Sequence, residues 1–457
     1  MKIAISLFLA AGLALAPLGQ GTTVAAQEDP AAPGEPLTLS LEEAVNRALE
    51  ANPSLRAQQA RAEAKGQLPL QASPAFLPSL TLGLQGMKTT DPVAVFGLKL
   101  RQENFQGEDL ALDALNRPDA YSGYNATATI QMPLLAPEGL FGFAAARKAA
   151  EAEEAGARRA AGATRFFTIQ AYTGALLAAR QVAALDTALA AVRGHVRQAE
   201  AMHQQGLVTG LDARMANLKA SEIEVQRLAA KAQAENALSG LRTILALPDS
   251  MEIALTDDLA TTRAASACAE AGAECTWEGR GDLQAYTAGV EAASSGVKSA
   301  WASQFPAVAA FGALGHYAQD APFKDGSGDW TIGIGLSWNP FKGLAGVGKV
   351  KEAKAQERAV RAEREAAFRQ AELEVLQARR MLEAAQERAR VAAAAAEEAR
   401  VALEQARLRY QTGTSSIVEL LDVQAAATNA TMSELAARRD LLMAHAALDL
   451  AYGVFDQ

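Results

Sequence analysis

Glu419 and Asp422 form the acidic pair whose spacing suggests chemistry most directly. They lie three residues apart in a segment whose composition is typical of an α-helix, so both carboxylates fall on one helix face. Such a pair can attract cations, or it can be an ordinary charged face in contact with water. Which of the two applies depends on the elements that position the pair.

Other patterns that could carry chemistry are incomplete. The four histidines, at positions 195, 203, 316 and 445, share no metal-ligand spacing, and no Ser-His-Asp or Cys-His arrangement is evident. Residues 343–349 resemble a phosphate-binding loop, but Val350 stands where a Ser or Thr would hold magnesium. The sequence therefore predicts no enzyme, no cofactor and no metal site.

The N-terminus indicates export. Residues 1–26 contain one Lys, an apolar run that stops at Pro17 and small residues before Gln27, as in a secretory signal peptide; the alternative is an N-terminal anchor. A Pro-rich, flexible leader is predicted for residues 27–36. In an exported chain Cys268 and Cys275 can form a local disulfide, the alternative being two free thiols in a loop.

Composition limits the possible partners and folds. The 457-residue chain has a net charge of −9 and disperses its Lys and Arg among Glu, which argues against a nucleic-acid partner. Hydrophobic residues make up 50% of the chain but aromatic residues only 5%, a mixture that favours close-packed long helices. No run of about 18 uncharged apolar residues follows the signal peptide, so no membrane-spanning helix is predicted.

The chain contains an internal duplication at a separation of 207 residues. Pro133 aligns with Pro340, and Gly206 aligns with Gly413. Each copy has the order helix, strands, long helix, glycine turn and long helix, so one structural unit is used twice. The predicted division is a first repeat at 37–250, a connector or equatorial element at 251–280 and a second repeat at 281–457.

Alternation of apolar with small or polar residues predicts two strands in each repeat. It begins at Leu80 and Tyr124 in the first repeat and at Val308 and Ile332 in the second. One apolar and one polar face suit a membrane barrel with lipid outside and water inside. The loop between the first two strands, roughly 88–123, is expected on a solvent-facing side.

Long helices follow the strands. No proline occurs between Pro137 and Pro248 or after Pro340, and both spans are rich in Ala, Glu, Arg and Gln. Only glycine-containing turns at 206–210 and 412–416 interrupt them. Apolar spacings such as Leu211-Met215-Leu218 and Leu238-Leu241-Leu245 predict coiled-coil seams.

Residues 203–220 and 408–426, which include both glycine turns, resemble the helix-hairpin tips of the TolC family of outer-membrane efflux proteins. The strand and proline pattern is similar too, and the resemblance covers residues 37–457. It implies an α + β membrane protein that forms a homotrimer. Four strands from each protomer would build one twelve-stranded β-barrel in the outer membrane, continued into the periplasm by a hollow α-helical coiled-coil barrel.

The resemblance also implies roles for residues at the tips. Glu419 and Asp422 match the family's acidic ring at the periplasmic constriction, where threefold symmetry would place six carboxylates around a cation filter. Tyr410 and Asp212 match a pair that ties the tip helices together when the gate is closed. Ser415 replaces a basic residue often found there, so one closing contact is missing. The expected adaptor-docking tips are Gly206, Leu207, Val208, Thr209, Gly413, Thr414, Ser415 and Ser416.

Two functions are consistent with the sequence. The first is a passive outer-membrane exit duct of a tripartite efflux or type I secretion system, with a periplasmic adaptor, an inner-membrane pump and outer-membrane lipid as partners. The second is a periplasmic coiled-coil adaptor or scaffold without a pore. Alternating strands with an apolar face favour the first, because an adaptor needs no lipid-facing belt.

Overall fold

The computed structural model describes residues 36–259, 268 and 275–456. The predicted signal peptide at 1–26 lies outside these residues, as does the predicted leader except for its last residue. Parts of the predicted connector, 260–267 and 269–274, lie outside them as well.

Helices account for most of the described chain, and their order follows the duplication. Pro53 begins the second helix after a break at Asn52, whose side chain accepts hydrogen bonds from the first turn. The Ser40 and Glu43 side chains form the predicted capping box at the start of the first helix. The helices are α1 (Leu41–Ala51), α2 (Pro53–Gly66), α3 (Leu68–Gln71), α4 (Pro92–Arg101), α5 (Leu112–Asn116), α6 (Pro137–Gln204), α7 (Gly210–Ile244), α8 (Gly281–Ala302), α9 (Ala345–Gln411) and α10 (Ile417–Tyr452).

The two longest helices are rods. α6 has 68 residues and α9 has 67, which at roughly 1.5 Å per residue gives about 100 Å each. Pro137 stands at the first position of α6, where a missing N–H costs nothing. Beyond it neither rod contains a proline, so the backbone hydrogen bonds continue without a break.

The four long helices lie in the order α7, α6, α10, α9, because α6 packs against both α7 and α10, and α10 packs against α9. The helices α6 and α10 are therefore central, whereas α7 and α9 are edge helices. Part of the α6 sequence is apolar enough to cross a membrane by composition alone. Its residues Tyr172 and Leu176 are buried against the equatorial segments, so we assign α6 to the helical body.

One of the two predicted seams has no partner within the described chain. Leu241 and Leu245 are fully buried, but Leu211, Met215 and Leu218 are exposed. The reason is position: α7 is an edge helix, and its Leu211 side faces away from α6.

A four-stranded antiparallel sheet forms from both repeats in the order β2-β3-β5-β6. Its strands are β2 (Ser79–Thr89), β3 (Tyr121–Leu135), β5 (Ala307–Ala318) and β6 (Gly326–Ser337). Within the described chain β2 and β6 each pair along only one side, which leaves the outer edge of each strand open. The loop before β3 contains the short helices α4 and α5.

Register places most of the large apolar residues of the four strands on one face. Leu80 lies beside Ile130, which lies beside Gly312, which lies beside Ile332. The next row lies on the opposite, polar face and runs from Thr81 through Thr129 and Ala313 to Thr331. The apolar face is exposed, with Ile332 76% and Leu82 74% accessible. A surface of this kind requires a partner other than water.

A small equatorial element was not anticipated in full. Strand β1 (Leu37–Leu39) pairs in parallel with β4 (Ile253–Leu255), which joins the start of the first repeat to the connector. The Tyr172 hydroxyl lies 2.9 Å from the Leu39 carbonyl oxygen and 2.7 Å from the Asp257 carboxylate, two acceptors that share its single proton, and this contact ties α6 to the element.

Candidate functional site at the paired helical tips

Two tight turns end the helical hairpins, and the packing of α6 against α10 brings them to one end of the molecule. The first turn joins α6 to α7, and the second joins α9 to α10. One apolar cluster beneath them contains residues of all four helices. Its members from the second hairpin include Tyr410, Ile417 and Leu420, which are almost completely buried. The tips are thus one site.

The backbone of the two turns is the same. Gly206 and Gly413 both have a φ of +72°, a left-handed conformation that glycine adopts without strain. The amide of the residue after each glycine donates to the carbonyl oxygen five residues before it, over 2.9 Å in both turns. This bond is typical of a Schellman motif and satisfies a carbonyl group at the helix end.

The following helices are capped by different halves of one motif. At the start of α7 the Asp212 carboxylate accepts a hydrogen bond of 3.2 Å from the Thr209 amide. At the start of α10 the Ser416 hydroxyl accepts a hydrogen bond of 3.2 Å from the Glu419 amide. Both arrangements satisfy an amide that the helix itself leaves without a partner.

The Glu419 carboxylate has a different partner. It accepts a hydrogen bond from Arg409 Nη1 across the turn, over 2.8 Å, and the pair is about half exposed. Asp422, one turn further along α10, is exposed. The sequence analysis did not identify Arg409. A comparison of the two repeats could have identified Arg409, because the equivalent position 207 residues earlier is Met202, which cannot form this ion pair.

Tyr410 is the buried residue of the second turn. Its side chain is only 2% exposed, and its hydroxyl has no hydrogen-bond partner among the described residues. Burial, and secondly the charge of Asp212, raise the pKa of Tyr410. The two predicted gate residues are therefore near each other but not hydrogen-bonded. The Ser415 hydroxyl is also buried without a partner in the described chain.

The predicted docking tips are mostly accessible. Leu207 is 66% exposed, and Gly206, Thr209, Gly413, Thr414 and Ser416 are exposed as well. Val208 and Ser415 are half-buried. An exposed leucine at the end of a hairpin is a contact point without a partner in the described part of the chain.

Above the tips, His195 and Gln424 are buried between α6 and α10 and line a cavity of about 310 Å³. His195 Nε2 has no partner among the described residues. Burial, and secondly the charge of Arg407, lower the pKa of His195, so the ring is neutral at physiological pH.

The remaining predicted site residues lie far along the chain from the tips, in the connector. The sulfur atoms of Cys268 and Cys275 are bonded, and the two residues pack on the cluster that contains Leu382 and Tyr452.

The model of the outer membrane efflux protein family matches residues 44–247 and 276–454. These two segments make up most of the chain and contain both hairpins and the sheet. No curated protein matches the chain in sequence.

Solved structures have the same fold. The outer-membrane channel OprN is 21% identical, covers 91% of both chains and has a TM-score of 0.76. The CmeC outer membrane channel of Campylobacter jejuni is 17% identical, with 90% of this chain and 85% of that chain covered and a TM-score of 0.76. The outer membrane protein VceC of Vibrio cholerae is 20% identical, with 90% and 96% covered and a TM-score of 0.72. At these identities the similarity shows the fold.

The predicted fold class, long helical hairpins attached to a small sheet, is confirmed, while the trimer and the closed barrel stay predictions. Since the family match covers most of the chain, the chain belongs to the outer membrane efflux protein family, and the predictions of an outer-membrane location and an efflux-channel role are confirmed.

Proposed function

We propose that three copies of this chain assemble into one passive exit duct whose opening is controlled at the helical tips. The single observation that carries this proposal is the open sheet, with an exposed apolar face and two unpaired edges. Unpaired backbone groups in lipid cost several kcal/mol each, so a spanning sheet must close. Four strands are too few to close around a lumen, whereas three copies supply twelve.

The helices support the same assembly. The edge helix α7 has an apolar stripe without a partner in the described chain, and so does the edge helix α9. The stripes consist of Leu211, Met215, Leu218, Val225 and Leu228 on α7 and of Leu373, Leu376, Met381, Val391 and Leu408 on α9, all exposed. Packing of α7 from one copy on α9 of the next would cover the α7 stripe and the part of the α9 stripe nearest the tip, at Val391 and Leu408, and would extend the barrel with a helical tube. The predicted seam at Leu211, which is exposed in a single copy, would then pack against a neighbouring copy.

Glu419 and Asp422 would line the narrow end of this tube. Threefold symmetry brings six carboxylates together, and a ring of acids attracts cations. The ion pair with Arg409 partly neutralises the charge of Glu419. Asp422 would therefore contribute more than Glu419 to the negative potential of the ring. Tyr410 and Asp212 would hold the tip helices together behind the ring in the closed state, whereas Ser415 would leave out one closing contact.

The tips provide the contact for the rest of the transport system. The exposed residues of the two turns, from Gly206 to Thr209 and from Gly413 to Ser416, would dock a periplasmic adaptor that connects the duct to an inner-membrane pump. The pump supplies the energy, and the duct itself catalyses nothing. Tripartite efflux and type I secretion both fit this arrangement.

Single-channel recording in planar bilayers tests the proposal. In the Glu419→Gln/Asp422→Asn double variant we expect Mg²⁺ to block the current at about a tenfold higher concentration, because six charges leave the ring. Arg409→Gln frees Glu419 and should lower the blocking concentration. Glu398→Gln, an exposed acid on α9 well away from the turn, is the matched control and should not change block. Unchanged block in the double variant would remove these acids from the filter, and absence of any conductance in the wild type would refute the duct.

A further inference from the structure

A cavity of about 460 Å³ lies where the sheet meets the helices. It is formed by the end of β3, the first turns of α6, the last turn of α8 and the start of β5. The lining is almost entirely apolar and includes Leu135, Phe141, Lys298, Trp301, Phe305 and Pro306. Its volume falls within the roughly 300–1,000 Å³ that is usual for sites of small ligands.

The cavity is continuous with the exposed apolar face of the sheet. A bulge after Pro133 shifts the register of β3, so that Leu135 lies beside Val308, which in turn lies beside Leu336. This is the last row of the apolar face before the helices begin. The molecules that cover the apolar face of the sheet can therefore also enter the cavity.

Large side chains at the cavity are exposed without a covering partner in the described chain. Phe305 is 64% accessible and Trp301 is 48% accessible. The cavity lies below β3 and β5, the two inner strands, whereas another copy of the chain would pair at the outer edges of β2 and β6. A neighbouring copy is thus poorly placed to fill it.

Positive charge lies beside the aromatic side chains. Lys298 lines the cavity, and its side chain is exposed. Lys354 Nζ lies 5.6 Å from the centre of the Trp301 ring, in a cation–π contact. The Trp338 indole, on the same level, donates to the Gln304 carbonyl over 3.1 Å. Aromatic and Lys side chains together are typical of a membrane–water interface.

We propose that this cavity binds one phospholipid of the periplasmic leaflet, with an acyl chain against Phe141, Trp301 and Phe305 and the phosphate beside Lys298. The inference rests on the proposed function, because that function orients the apolar face toward lipid and the helices toward the periplasm. The bound lipid would seal the joint between barrel and helical tube.

Native mass spectrometry of the full-length protein, released from nanodiscs of palmitoyl-oleoyl-phosphatidylglycerol, tests the proposal. The wild type should retain about one lipid for each protomer. We expect retention to fall about tenfold in Lys298→Glu/Phe305→Ser, because a charge-assisted contact and apolar burial are lost together. Phe341→Ser/Lys342→Glu, which changes an exposed Phe-Lys pair at the end of the sheet outside the cavity, should retain lipid as the wild type does.

Lys298→Gln keeps the proposal testable if the double variant folds poorly, since Lys298 is exposed and its loss should weaken retention without affecting assembly. Equal retention in Lys298→Gln and the wild type would overturn the phosphate contact. Disulfide-linked dimers of a Phe305→Cys variant would assign the cavity to a second copy and overturn the proposal. The same spectra give the oligomer mass: trimers without specific lipid refute only this inference, whereas monomers refute the duct.

Discussion

The two helical tips share one backbone conformation but differ in their side-chain contacts. Both turns have a glycine at φ +72° and the same hydrogen bond back into the preceding helix. In the first turn an exposed His203 and a capping Asp212 make only local contacts. In the second turn the equivalent positions are the buried Tyr410 and Glu419, which Arg409 binds. The two copies thus share the turn, and only the second has a buried core residue and an ion pair at these positions.

Replacing the residue three positions before each turn glycine by alanine should give the largest difference in local stability between the two tips. Tyr410→Ala should lower the local free energy of unfolding by about 3–5 kcal/mol, because a buried ring leaves a cavity. His203→Ala should cost less than about 1 kcal/mol, because its ring is exposed. Hydrogen exchange of amides on both sides of each turn measures the two values. Tyr410→Phe is the control and should be close to neutral, since the hydroxyl has no partner; equal losses at both tips would contradict the comparison.

Alanine at the two turn glycines should have equal effects. A Cβ at Gly206 or Gly413 meets nothing within 4 Å, so only the left-handed backbone resists substitution. Each of Gly206→Ala and Gly413→Ala should cost about 1–2 kcal/mol. Gly240→Ala, inside α7 and equally free of contacts, should instead stabilise the helix by up to about 1 kcal/mol. A clear inequality between the two turns, measured by hydrogen exchange, would show that their backbones are not equivalent.

Removing the acid in the first turn of each following helix tests the caps. Asp212→Ala should cost about 1 kcal/mol, because the Thr209 amide loses its acceptor. Glu419→Ala should cost about half as much, since an exposed pair with Arg409 adds little and the Ser416 cap survives. Ser416→Ala should cost about 1 kcal/mol and serves as the reference for α10. A larger loss for Glu419→Ala than for Asp212→Ala would mean that the ion pair with Arg409 holds the second turn together.

Acid should weaken the helical body through two histidines, one in each hairpin. Burial lowers the pKa of His195 in α6 and of His445 in α10. Below the ordinary histidine pKa of about 6.5 the unfolded chain takes up a proton more readily than the folded one, so stability falls as pH drops toward the folded pKa. Thermal unfolding of the detergent-solubilised protein at pH 7.5 and 5.5 should show this loss. In His195→Gln the loss should be smaller, and an unchanged pH dependence would exclude His195 as its source.

The sequence predicted the strands and helices that show a hydrophobic period or that end at a proline or a glycine. Alternation from Leu80 and Ile332 predicted strands, and the prolines and turn glycines predicted where the long helices lie. β1 and β4 were missed because three residues are too few to show a period. The Leu211 spacing predicted a seam but not its partner, because a hydrophobic period does not tell an intrachain partner from an interchain one. Arg409 was missed because its importance depends on a contact across the turn, ten residues away.

The most direct test of the central claim, that an open four-stranded sheet obliges this chain to close with copies of itself, is the mass of the protein extracted from membranes in detergent. Light scattering coupled to size-exclusion chromatography should give a protein mass of three protomers after subtraction of the detergent. A monomer that stays in solution after detergent removal would contradict the account, since its apolar face and strand edges would then need no partner.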